Sequence, residues 1–178
     1  MFTFEEETSI KFFDILGPQW SDVFLDPTLV ELFFRLHYKV RSLPDLCHHT
    51  LNCLTQLASL NGPVMADKNM RVQYISHYLT QFVHFVGGIE LRAQESLGVS
   101  SIFRKLVQFF PPDTLSALNP ELLHTVFLHC TRLTCKFAEQ AERESATPSD
   151  DNLYMEAFDN MVNGWDTLGK IKLKHIFF

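Results

Sequence analysis

Breaker residues recur along this chain at Gly17-Pro18, Asp26-Pro27, Pro44, Asn61-Gly62-Pro63, Gly87-Gly88, Pro111-Pro112 and Asn119-Pro120. Proline lacks the N–H that a helix interior needs, and glycine closes helices in the left-handed conformation. Between the breakers, apolar residues return every three or four positions. That spacing lines one side of an α-helix and leaves the other side to water. The chain is thereby limited to a series of short amphipathic helices, each needing neighbours to cover its stripe.

The first clear helix starts at Asp26-Pro27, where Asp26 caps and Pro27 fits the first helical position. Its stripe is Leu29, Leu32, Phe33, Leu36 and Val40, and Lys39 and Arg41 stand near the C-terminal end, where the helix dipole favours cations. Pro44 opens a second helix, with Leu46, Cys47, Thr50, Leu51, Leu54, Leu57 and Ala58 on one face, closed by Asn61-Gly62-Pro63. A connection this short makes the two helices antiparallel neighbours. The pattern continues with a helix over 69–86 (Val72, Ile75, Leu79, Phe82, Val83, Val86) and another over 93–110 (Val99, Ile102, Phe103, Leu106, Val107, Phe110). A short turn, DTLSAL, precedes a long helix from Asn119-Pro120 to Glu142 with Leu123, Val126, Phe127, Cys130, Leu133 and Phe137 inward. After the polar loop ESATPSDD, a last helix over 152–168 carries Tyr154, Phe158, Met161, Trp165 and Leu168.

Helix pairs at intervals of about 40–50 residues predict an all-α fold, an α-solenoid of HEAT-like antiparallel helix pairs. The content of 17 Phe and only 7 Gly in 178 residues suits helix-on-helix packing rather than a turn-rich β fold. The expected organisation is an irregular lead-in over 1–19, with a short helix at 9–16, then about three HEAT-like pairs over 20–168. Residues 169–178, GKIKLKHIFF, alternate in polarity and fall outside the helical pattern, as a divergent tail.

The formal charge of −6 argues against nucleic acid as a direct partner, because phosphate binding needs clustered Lys and Arg. Four cysteines, all in apolar stretches, read as reduced buried thiols of a cytosolic or nuclear protein. The N-terminus carries Glu5, Glu6 and Glu7 where a signal peptide would be basic, and no apolar run approaches the ~18 residues of a membrane span. The expectation is a protein without membrane insertion.

One stretch invites a reading as a metal or catalytic site: LCHHTLNC, from Leu46 to Cys53. Cys47 and Cys53 are six apart, about 240° beyond a full helical turn, so they point to different faces. His49 and Cys53 share a face, and His124 with His129 do so less well, yet no second ligand pair completes a tetrahedral set. Coexistence of Cys and His without a Gly-rich elbow is not a catalytic signature. His77 and His84 lie seven apart beside Gln81, opposite the apolar stripe, and read as solvated. Glu139, Glu142 and Glu144 stand on the exposed end of a helix, with nothing to mark a cleft. Phe33, Phe82, Phe103, Phe110, Phe127, Phe137 and Phe158 are core, contributing about 1.5–3 kcal/mol each on burial. No Gly-rich phosphate loop, HExxH or GxSxG occurs. The chain reads as no enzyme, with no catalytic, cofactor-binding or metal-binding residue and no cofactor.

Several stretches, in order and spacing, resemble the nuclear export receptors of the importin-β superfamily: VELFFRLHYKVR (30–41), CLTQLASLNGP (53–63), GVSSI (98–102), LTCKF (133–137) and NLYMEAFDNMVNGWDTL (152–168). The resemblance implies an interior slice of a HEAT-repeat receptor that shuttles between nucleus and cytoplasm through the nuclear pore. It implies cargo proteins (a hypusine-bearing translation factor or Smad-type factors), nuclear pore proteins, and Ran-GTP as partners of the whole receptor. The main Ran contact would lie on repeats outside this slice. The second helix of each pair (44–60, 93–110, 152–168) is expected to form one partner-facing row. The alternative is a stand-alone helical adaptor that holds a partner in its groove. An array slice should also expose apolar ends and self-associate. Trp165 and Met161 are the candidates at one end, and Phe12, Phe13 and Trp20 at the other.

Overall fold

The computed structural model describes residues 16–109, 111–146 and 152–177, with side chains described as far as Ile171. Among the described residues every regular element is helical. A 3₁₀ turn at Pro18–Trp20 leads into a single-turn helix, α1 (Ser21–Phe24). Then follow α2 (Pro27–Val40), α3 (Pro44–Ala58), a 3₁₀ turn at Gly62–Met65, α4 (Lys68–Gly88), α5 (Ala93–Phe109), α6 (Pro112–Ala117), α7 (Pro120–Ser145) and α8 (Leu153–Phe177).

Local chemistry sets the starts. Pro27, Pro44, Pro112 and Pro120 each stand at the first helical position. Asp26, Asp67 and Asn119 cap α2, α4 and α7 by accepting from the backbone N–H of Thr28, Met70 and Glu121. Gly62, at φ 77°, is the left-handed residue after α3, where its missing Cβ avoids a clash. Gly87 and Gly88, expected as a stop, form the last turn of α4 instead, and α4 closes at an extended Ile89. The last helix, expected to end at Leu168, runs to Phe177, so 169–177 extend α8. Five of the ten residues in GKIKLKHIFF are apolar and three more are lysines with aliphatic stems, and the stretch as far as Phe177 continues a helix already nucleated.

The helices pack in two rows. In one, α2 lies on α4 and α4 on α7; in the other, α3 lies on α5 and α5 on α8. The rows meet where α2 faces α3 and α7 faces α8. Asn152 bonds to the Ala141 carbonyl at 2.9 Å and Trp165 to Thr134 at 3.0 Å, so α7 and α8 run antiparallel. Along a row the direction is kept: Ser100 meets Asn160 while Phe103 stacks near Trp165.

The core runs between the rows through Phe82, Tyr78, Leu54, Val99, Ile102, Phe137 and Met161, all nearly or fully buried. Gly164 and Gly98 set the closest approaches. A Cβ on Gly164 would lie 2.5 Å from the Phe103 ring, and one on Gly98 2.8 Å from Leu51. A small apolar hollow is lined by groups including Leu79, Phe82, Phe103 and Leu168.

Two packing expectations are overturned. Of the stripe Leu29, Leu32, Phe33, Leu36 and Val40, only Leu29 and Phe33 pack against the core, half-buried, and the stripe is not the buried face of α2. That face is Val30, Phe34 and His37, while Leu32 is 54% and Leu36 41% exposed. Phe34 packs edge-on against Tyr78, with centroids 5.5 Å apart, and beside Phe85. Met161 and Trp165 are not an exposed end. Met161 is wholly buried, and Trp165 is half-buried between Phe103 and Phe127. Trp20 is exposed as expected. Phe12, Phe13, Phe110 and most of the lead-in lie outside the described residues.

Candidate interaction surface

The most polar interior point joins three helices. Glu95, in the first turn of α5, is fully buried. It accepts from His37 Nε2 (2.8 Å), from Arg41 Nε (3.0 Å) and Nη2 (2.7 Å), and from the Arg92 backbone N–H (3.3 Å). The last of these is half of a capping box, a carboxylate three residues into a helix reaching back to its start. A carboxylate accepts only, so His37 Nε2 carries the proton it donates. His37 Nδ1 faces the Thr50 hydroxyl of α3 at 2.7 Å. Arg41 also donates to the Glu90 carbonyl at 2.7 Å. Burial pushes the Glu95 carboxyl up, but the hydrogen bonds from His37, Arg41 and Arg92 outweigh it and hold the group at about 2.

Thr50, His37 and Glu95 thus stand in the order hydroxyl, imidazole, carboxylate, the order of an acyl-transfer triad. Their exposures are 6%, 0% and 0%. The Thr50 hydroxyl also lies 2.9 Å from the Leu46 carbonyl of its own helix. A nucleophile must meet a substrate carbonyl beside oxyanion donors, and this hydroxyl faces packed protein. The cluster is a joint that sets α2 and α3 against α5.

The residues weighed from the sequence are scattered. Cys47 and Cys130 are buried, Cys53 is half-buried and Cys135 exposed. Burial pushes the Cys47 and Cys53 thiols up, and Cys130 to about 12. His48 bonds to Asn52 at 3.0 Å within α3, and His49 is exposed. His124 is exposed, while His129 half-fills the space above Gly87. His84 is exposed, but His77 is half-buried and its Nε2 is enclosed without a partner, against the expectation of a solvated ring. Among the described residues no three His, Cys, Asp or Glu side chains gather as a metal site would require. Glu139 and Glu142 are exposed on α7, with Glu139 4.0 Å from Arg143, and Glu144 is half-buried.

What remains open is surface at the two ends of the rows. On α2, Leu32 and Leu36 stand out from the protein, continued by Leu43 (52% exposed) and Leu46 (46%) where the chain turns into α3. Leu29, Phe33 and Val40 border them half-buried. At the other end α8 presents Met155 (42%) and Val162 (45%), and α7 presents Leu128 (40%). Among the described residues no helix is long and apolar enough to cross a membrane. The α2 sequence carries a signal for the exposed face in its one full apolar stripe, beside which only Val30 and Phe34 offer apolar groups on the buried side. His37 and Glu95 were passed over because polar residues read as solvated by default.

No family model matches this chain.

Proposed function

We propose that the chain contributes HEAT repeats to a nuclear export receptor of the exportin-4 type, acting in Ran-GTP-dependent protein transport between nucleus and cytoplasm. One observation supports the reading: α2 lies on α4 and α4 on α7, while α3 lies on α5 and α5 on α8, with α2 against α3 and α7 against α8. That layout is compatible with a solenoid of stacked helical hairpins. The quoted sequence stretches, helix cores and turns in matching order, support the same assignment. In this reading α3, α5 and α8 form the row that a partner lines. The function is shape and surface recognition, with no bond made or broken by the chain.

Peptides bearing Phe-Gly repeats, as nuclear pore proteins do, should retain the purified chain on a resin, and their Phe→Ser versions should not. Ran loaded with a non-hydrolysable GTP analogue should bind weakly or undetectably, because the main Ran contact belongs to other repeats. Equal retention by both peptides, or by neither, rejects the transport reading in favour of an adaptor for a different partner.

A further inference from the structure

We propose that the Thr50 hydroxyl is a two-position switch that lets the enclosed His37 ring take up or release one proton while the joint between α2, α3 and α5 stays closed. The inference does not depend on the transport reading. It comes from matching donors to acceptors around a ring that is fully buried. Glu95 only accepts, so His37 Nε2, 2.8 Å away, keeps its proton in either state. The variable atom is Nδ1, which faces the Thr50 oxygen at 2.7 Å. A hydroxyl has one proton and two lone pairs. Thr50 has three acceptors in reach for that proton: His37 Nδ1, the Leu46 carbonyl at 2.9 Å and the Cys47 carbonyl at 3.1 Å. With Nδ1 unprotonated, the hydroxyl donates to the ring. With Nδ1 protonated, the ring donates to Thr50, and the hydroxyl turns back to the Leu46 carbonyl, as threonines inside helices do. Both carbonyls belong to α3, whose backbone ladder occupies them when the hydroxyl turns away. The two states differ by one proton and a turn about the Thr50 Cβ–Oγ1 bond, and no heavy atom has to move.

The charges around the ring admit the second proton. From α5 comes Glu95: burial pushes its carboxyl up, the bonds it accepts pull it down to about 2, and it stays ionised where imidazole titrates. Arg41, at the end of α2, shares that carboxylate, and its 19% exposure lets water weaken its repulsion of an imidazolium. Tyr38 and Arg92 are exposed, and Arg92 donates to the Arg41 carbonyl at 3.1 Å. From α3 the Cys47 thiol is kept protonated by burial. From α4 the ring meets uncharged Phe85, with centroids 5.2 Å apart.

NMR of the chain with nitrogen-labelled histidines reads both ring nitrogens directly, with His37 assigned through its contact with Phe85. Spectra at about pH 8 and about pH 5 bracket the range in which imidazole titrates. Nε2 should carry a proton at both, and Nδ1 only at the lower. Thr50→Val, checked for folding by far-UV circular dichroism, leaves Nδ1 facing a methyl group. The neutral ring then lacks a donor, and the charged ring lacks an acceptor, which costs more. Relative to wild type, the unfolding constant should rise about tenfold at the higher pH and about a further tenfold at the lower. The further loss comes as pH falls because the folded variant refuses a proton that the unfolded chain binds. Thr50→Ser restores the hydroxyl and should show the wild-type dependence on pH. An Nδ1 equally protonated at both pH values, a Thr50→Val penalty that does not grow towards acid, or a Thr50→Ser protein that follows Thr50→Val would each overturn the proposal.

Discussion

The joint at Glu95 makes a quantitative prediction. Glu95→Gln keeps the shape of the side chain but turns one acceptor oxygen into an NH₂ donor. Whichever way the amide is set, that NH₂ opposes Arg41 together with either His37 or the Arg92 N–H, because each oxygen serves two donors. The side chains of His37 and Arg41 are 0% and 19% exposed, so water replaces little of what is lost. Breaking a buried pair by removing one partner costs about 3–5 kcal/mol, and the partial access of water to Arg41 favours the lower end, about 3 kcal/mol. Urea unfolding should show the midpoint falling with the slope unchanged. The melting temperature should drop by about 6–12 °C for a chain of this size. The control is Glu31→Gln, whose pair with Arg35 is 44% and 62% exposed and should count for less than about 0.5 kcal/mol. Acid provides a second reading. The folded Glu95 carboxyl titrates at about 2 against an ordinary 4.5. Its stabilisation, about 3 kcal/mol at about 1.4 kcal/mol per pH unit, is complete above pH 4.5 and disappears as the pH falls towards 2. Wild type and Glu95→Gln should therefore converge in stability over that window. A Glu95→Gln protein within about 1 kcal/mol of wild type at pH 7 would refute the reasoning about a desolvated joint.

Gly164→Ala should destabilise by about 1–3 kcal/mol, since the new methyl group meets the buried Phe103 ring, whereas Gly88→Ala, with nothing within 4 Å, should stabilise by up to about 1 kcal/mol; thermal melts of the two variants separate these outcomes. Cys135 should react with a thiol reagent in the native state, while Cys130, buried with its thiol pushed to about 12, should react only on unfolding. Tyr78→Phe removes the hydroxyl that donates to the Leu54 carbonyl at 2.6 Å in the core, and denaturant titration should register a loss of about 1–1.5 kcal/mol.

The sequence by itself determined the elements. Asp26-Pro27, Pro44 and Asn119-Pro120 start helices where they were expected to, because capping and proline geometry act within a few residues. The inward stripes of α3, α5 and α7 were legible for the same reason, with Leu46 at the start of α3 the exception, exposed against expectation: each helix has one main apolar face, and helical period is a local property. On α2 the period was equally clear but the choice of face was not. Its apolar stripe through Leu32 and Leu36 competes with the row Val30, Phe34, His37, Arg41, which ends in two polar groups. Only the tertiary structure decided between them. His37 and Arg41 are buried at Glu95, 58 and 54 residues along the chain, and a charge can leave water only where such partners converge. The same long-range choice left Leu32 and Leu36 at the surface, and it sank Met161 beneath a neighbouring helix. Local sequence specifies which residues can face inward together; the packing of distant helices selects which of the possible faces does.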